Sequence, residues 1–195
     1  MYLYLLFNYF NIEYVCAMKV IETGQDWKIA ALRSSFHVHF LFLVIVMNYK
    51  FFDVAFDYAN KAYLEGEVPI GAVIVKDDTI ISFGFNKKEN NNSVISHAEI
   101  EAILEAEKKL NNWRLDDCDI YVTLDPCPMC ASAIKQSRIK NVYSALSNSD
   151  SSNSKLIQSI FSADKTNPAV SFYSDLDVDR SKKLLNSFFK KQRMK

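Results

Sequence analysis

The sequence lacks any excess of charge: 23 Lys and Arg balance 23 Asp and Glu over 195 residues. A whole-protein electrostatic pull on nucleic acid is thereby excluded, and any such binding has to come from a local basic patch or from shape. Cysteine is sparse. Four in a chain of this length do not make the dense disulfide framework of a small secreted domain, so a reducing, cytoplasmic setting is expected. No apolar run reaches the 18 or so residues of a membrane span, and no membrane partner is expected. The signal-peptide order of basic start, apolar stretch and small-residue cleavage site is missing too. What is present is ordinary globular usage, 49% apolar and 24% charged, enough for one domain with a full core and against wholesale disorder.

Residues 1–46 stand apart. The stretches 1–10 and 36–47 are apolar and aromatic-rich, while Glu13, Glu22 and Asp26 argue against a transit peptide. Met47 is read as the working start, with the upstream stretch a misassigned frame or a poorly ordered extension. The alternative is a membrane-associating or targeting arm. His37 and His39, in this apolar run, are not read as ligands. The expected division is therefore an atypical extension, 1–46, and a domain, 47–195.

From Met47 the pattern is regular. Phe52, Ala55, Phe56, Ala59, Ala62 and Tyr63 recur at helical spacing, and Gly66 supplies a stop. Residues 70–75 form a continuous β-prone run, Asp77-Asp78 a turn, and 79–85 the returning strand of a hairpin. The stretch 87–93, with Asn90, Asn91 and Asn92, is loop. A helix opens near His97 and carries Ile100, Ile103, Leu104 and Leu110. Strands are predicted over 120–124 and 141–145, with a helix over 126–136 between them. Residues 147–154 are Ser, Asn and Asp alone and read as a solvated loop. A short helix over 156–161, a fifth strand over 169–173 and an amphipathic helix over 179–193 close the chain. Strands separated by helices favour parallel pairing. The predicted fold class is α/β, a three-layer α/β/α sandwich on a mixed five-stranded sheet.

The chemistry is carried by His97-Ala98-Glu99 and by Pro126-Cys127-Pro128-Met129-Cys130. Two thiolates and one imidazole suit zinc, and a catalytic zinc keeps its fourth position for water, whose pKa falls to about 7. A helix start favours anionic cysteine. His97, Cys127 and Cys130 are therefore candidate zinc ligands, one Zn2+ per subunit. Glu99, two residues from a ligand, is the candidate proton shuttle. Alone, C-x-x-C fits a redox pair or half a structural zinc site, and H-x-E alone is noise. A structural site needs a fourth ligand, for which Cys118 is the one candidate; it reads better as a small core residue. Met129 reads as core. The complete H-x-E and P-C-x-x-C pattern is identified, rather than deduced, as that of the zinc-dependent base deaminases.

With those residues quoted, the stretch from Phe52 to about Ala145 resembles the bacterial tRNA adenosine deaminases. The likeness rests on Glu67-Val68-Pro69-Ile70-Gly71-Ala72-Val73, Gly84-Phe85-Asn86, His97-Ala98-Glu99-Ile100, Tyr121-Val122-Thr123-Leu124-Asp125-Pro126-Cys127, Cys130-Ala131 and Ser137-Arg138-Ile139. It implies a cytidine-deaminase-like fold, a homodimer, and hydrolysis of the wobble adenosine of a tRNA anticodon stem-loop to inosine. Carried over, Asn86 would hydrogen-bond the target base, Val68 would line its pocket, and the Ala98 backbone would meet the base edge. Phe188, Phe189, Lys190 and Arg193 resemble the family's RNA-contacting terminus, where aromatic rings stack on unpaired bases beside cations. The bland alternatives are that Asn86 caps a turn and that Phe188 and Phe189 pack the terminal helix. The chain departs from the family at Asn148, which stands at an acidic position in a glycine-free loop, and at Asp125, where Glu is commoner. Guanine, cytosine or nucleotide deamination, and a non-catalytic zinc- and RNA-binding subunit of an editing complex, remain the alternative readings.

Overall fold

The computed structural model describes the backbone of residues 37–148 and 151–194, and the side chains of 49–148 and 153–194. The expectations for residues 1–36, and for the His37 and His39 side chains, lie outside the described residues. The chain divides into two compact units, Met1–Tyr49 and Lys50–Lys195.

The second unit carries the fold. Helix α1, His37–Leu64, starts in the first unit and ends in the second. Its buried positions Phe52, Ala55, Phe56, Ala59 and Ala62 follow the 3.6-residue period predicted for them. It ends in a Schellman motif: Glu67 N–H donates to Ala62 O and Gly66 N–H to Tyr63 O, with Gly66 at φ 84°. Strand β1, Gly71–Lys76, and strand β2, Thr79–Phe85, form the expected hairpin. Its turn residues Asp77 and Asp78 are both left-handed, at φ 48° and 58°. Helix α2 covers Ala98–Leu110, strand β3 Cys118–Val122, helix α3 Pro128–Gln136 and strand β4 Asn141–Ser144. Helix α4 covers Ser151–Phe161, strand β5 Ser171–Tyr173 and helix α5 Val178–Arg193.

The sheet runs β2-β1-β3-β4-β5. Strands β3, β4 and β5 are parallel, as predicted, but β1 pairs antiparallel with both β2 and β3. The crossover through α2 therefore lands one strand beyond the hairpin rather than beside β2. Alternation along the strands divides two cores. Ala72, Ile74, Ile120, Val122 and Val142 pack with residues of α2, α3 and α4, while Val73, Val75 and Tyr121 pack with α1 and with Leu184 of α5. This is the predicted three-layer α/β/α sandwich. On the α1 side, Tyr121, Tyr143 and Tyr173 stack across β3, β4 and β5, with ring centroids 4.7 and 5.2 Å apart.

Two glycines let helices lie flush on the sheet. A Cβ on Gly71 would sit 2.6 Å from Ala59 N in α1, and one on Gly84 would sit 2.5 Å from Ala102 N in α2. The predicted solvated loop 147–154 needs correction, because α4 already begins at Ser151. Ser and Asn are favoured at helix starts as well as in loops. Ile157 and Phe161, four apart and buried, extend that helix over the sheet. Cys118 is fully buried in the core.

Candidate active site

The parallel pair β3–β4 runs antiparallel to β1, so the carboxyl end of β3 meets the amino end of β1. Ala72 lies opposite Val122, and Thr123 N–H donates to Gly71 O at 3.1 Å. The carboxyl end of β2 reaches the same edge, with Phe85 opposite Gly71. Helices α2 and α3 both begin here, and their N-cap residues are His97 and Cys127, both in extended backbone conformation. Crevices at the carboxyl ends of strands are where open α/β sheets place ligands.

His97 Nδ1 lies 3.7 Å from Cys127 Sγ and 3.6 Å from Cys130 Sγ. Tetrahedral zinc with bonds of about 2.3 Å to sulfur and 2.0–2.1 Å to nitrogen requires N–S edges of about 3.6 Å. The donor set and its spacing thus fit zinc. All three ligand atoms lie within 4.8 Å of one another and form a group able to hold a metal ion. Cys118, buried in the core and donating weakly to Asp116 O at 3.8 Å, is not part of this group.

The Cys130 thiol, the Cys130 and Met129 amides and His97 together pull Cys127 down to about 5, against its burial. The Cys130 thiol, donating to Cys127, is pushed up in turn. Of this coupled pair, Cys127 gives up its proton first. Glu99 is 3% exposed, and burial is the main cause of its rise to about 7. Its own amide opposes that rise, and the Cys127 charge adds to it.

The other predicted site residues fall as follows. Asn86 is buried, and its Oδ1 accepts the Ala98 N–H at 3.0 Å. The amide assigned to the base edge is therefore engaged by Asn86, whose Nδ2 has no hydrogen-bond partner among the described residues. Val68 is half-buried at the same edge. Met129, expected in the core, is only half-buried, because the first turn of α3 opens on the site. Phe188 needs correction as a base-stacking residue: it is 5% exposed and packs edge-on against Tyr63, 5.9 Å between centroids. Phe189 is 44% exposed, and Lys190 and Arg193 are exposed on the same helix.

Sequence reasoning missed two carboxylates. Glu67 is buried and its Oε1 accepts the Asn90 N–H at 2.7 Å, tying down the loop that leads to His97. Asp125 is buried two residues before Cys127 and bonds to segments far along the chain. Both lie in segments that carry the family likeness, and Asp125 was noted there as standing where Glu is commoner, but neither was given a role.

The family model of the MafB19-like deaminases matches residues 47–193. A tRNA-specific adenosine deaminase of Streptococcus pyogenes is 36% identical over 143 residues, covering 73% of this chain and 90% of that protein. A solved structure from studies of A-to-I editing by wobble-position tRNA deaminases superposes with a TM-score of 0.64 at 35% identity, over 70% of this chain and 99% of that one. A guanine deaminase of Bacillus subtilis superposes with a TM-score of 0.51 at 34% identity, over 75% and 93% of the two chains. Among the described residues no helix is long and apolar enough to cross a membrane.

Proposed function

The chain belongs to the MafB19-like deaminase family, and from that premise we propose that it hydrolyses the wobble adenosine of a tRNA anticodon to inosine. The observation that carries the reading is the corner formed by His97 Nδ1 and two sulfurs at 3.6 and 3.7 Å, with the buried Glu99 beside it.

His97, Cys127 and Cys130 are the residues that would hold one Zn2+ per subunit. Zinc, when bound, supplies water activated for attack near neutral pH. Glu99 would take one proton from that water and pass it to the purine ring nitrogen, where it stays in the product, and would then carry the remaining proton of the attacking hydroxyl to the amino group that leaves as ammonia. A carboxyl raised to about 7 can do both, since it holds and releases a proton near the working pH. Asn86 holds the first turn of α2 through Ala98 and has its Nδ2 available to an acceptor on the ring. Val68 forms part of the pocket wall. A target base inside a folded loop has to be turned out to reach this depth. In this reading the exposed Phe189 stacks on an unpaired neighbour and the exposed Lys190 and Arg193 meet phosphates; their exposure supports it. The reading includes a homodimer acting in the cytoplasm.

The similarity to a guanine deaminase supports a second reading, deamination of a free purine. The presence of Glu99 weighs against a non-catalytic subunit, which has no need of a proton shuttle. Both readings are separated by incubating the purified protein with an anticodon stem-loop carrying a wobble adenosine, and separately with free guanine and cytidine. Inosine in the stem-loop alone is expected. Turnover of a free base alone overturns the tRNA reading.

A further inference from the structure

Asp125 sits where three segments meet. Its N–H donates to Leu146 O at 2.9 Å, just past the end of β4. Its Oδ2 accepts the Asn148 N–H at 3.2 Å, and its Oδ1 accepts the Ser174 hydroxyl at 2.6 Å. Around it, Ser147 N–H donates to the Asp175 carboxylate at 2.8 Å, and Leu176 and Asp177 N–H donate to Ser144 O and Ala145 O. The carboxylate is 6% exposed and has no cation in ion-pair range among the described residues. Such a group is stable only where donors satisfy it.

These bonds join the metal-ligand turn to the segments that follow the next two strands of the sheet, β4 and β5. Residues 146–148 follow β4, the parallel neighbour of β3, and so form the wall of the crevice next to Cys127. Residues 174–177 lead into α5, which continues past Thr123, where Ser181 Oγ donates to Thr123 O at 2.6 Å, toward Tyr63. We propose that Asp125 is a positioning residue for substrate recognition: its two oxygens hold the 146–148 wall and the 174–177 link in register with the Cys127 turn. This rests on the deaminase reading of the same corner. It assigns Asp125 no proton transfer and no contact with the reacting atoms.

The test uses the full-length, zinc-loaded protein and the same stem-loop, with kcat, KM and zinc content measured for Asp125→Ala, Asp125→Asn and Ser174→Ala. Asp125→Ala removes both anchors and is expected to raise KM roughly tenfold or more, with kcat and zinc little changed. Asp125→Asn is expected to restore most of the affinity: its oxygen accepts from Asn148 while its NH2 donates to the Ser174 hydroxyl. Ser174→Ala, which loses one bond, should raise KM by a smaller factor and keeps the proposal testable if Asp125→Ala does not fold. An unchanged KM in the alanine variants overturns the proposal, as does a loss confined to kcat or to zinc content, or an asparagine variant as impaired as the alanine. If the wild type turns over free guanine and not the stem-loop, the tRNA reading fails, and the same comparison is scored on guanine.

Discussion

Replacing Gly84 with alanine puts one methyl group between β2 and α2. The new Cβ would lie 2.5 Å from Ala102 N and nearer still to Ala98 O. Both are backbone atoms in the first turns of α2, so no side-chain rotation relieves the overlap, and the helix has to retreat by about 1 Å to reach an ordinary contact. Overpacking of this kind costs about 1–3 kcal/mol, which in a domain of this size lowers Tm by roughly 2–12 °C. The retreat also carries His97 and Glu99, at the start of α2, away from Cys127 and Cys130, which belong to α3. A misplacement of ~1 Å at a catalytic centre reduces turnover by about a hundredfold. Gly71→Ala is the matched control: it overlaps Ala59 N at 2.6 Å, in a helix that supplies no ligand. Melting curves and stem-loop kinetics on both variants decide the matter. Comparable losses of Tm are expected, with the large loss of kcat confined to Gly84→Ala. Equal kinetic losses in the two variants, or wild-type turnover in Gly84→Ala, would refute the placement of the helix start as the sensitive element.

Glu99→Gln should retain zinc, measured by elemental analysis, while kcat falls by about 10²–10⁴. Turnover near the wild-type level would remove Glu99 from the proton-transfer role. The third prediction concerns acid stability. Asp164 pairs with the Lys135 ammonium at 2.7 Å, and that bond, followed by Thr166 and Asn167 donors, holds its carboxyl well below the ordinary carboxylate range. A folded value below the unfolded one stabilises the protein above that range, and the stabilisation disappears as pH falls through the folded value. Asp164→Asn should therefore unfold at lower urea concentration than the wild type at pH 7, and the difference should shrink steadily on acidification below pH ~4. A difference that widens toward low pH would contradict the assignment.

The sequence alone was most informative where the signal is local. The apolar spacing of Phe52, Ala55, Phe56, Ala59 and Ala62 is the buried face of α1, and the β-prone run before Asp77-Asp78 is one arm of the hairpin. His97, Cys127 and Cys130 were legible because their short motifs keep a fixed spacing, and the three side chains do meet. Strand order was less legible: nothing local to β1 marks it as the strand that separates β2 from β3. The start of α4 was lost because serine and asparagine serve loops and helix caps alike. For Phe188 the sequence left base stacking and helix packing both open, because its partner, Tyr63, lies in α1, far away in sequence. The Asp125 bonds span 23 and 49 residues, and composition carries no trace of such pairings.

The tyrosine stack of Tyr121, Tyr143 and Tyr173 has a consequence for the last strand. With three residues, β5 offers too few ladder bonds to fix its own alignment. A slip by one position would turn Tyr173 to the opposite face and break the aromatic column. It would also shift the following Ser174 by about 3.3 Å, beyond reach of the carboxylate beside the metal turn. An aromatic ring on the far layer of the sandwich thereby acts as a length gauge for the catalytic edge.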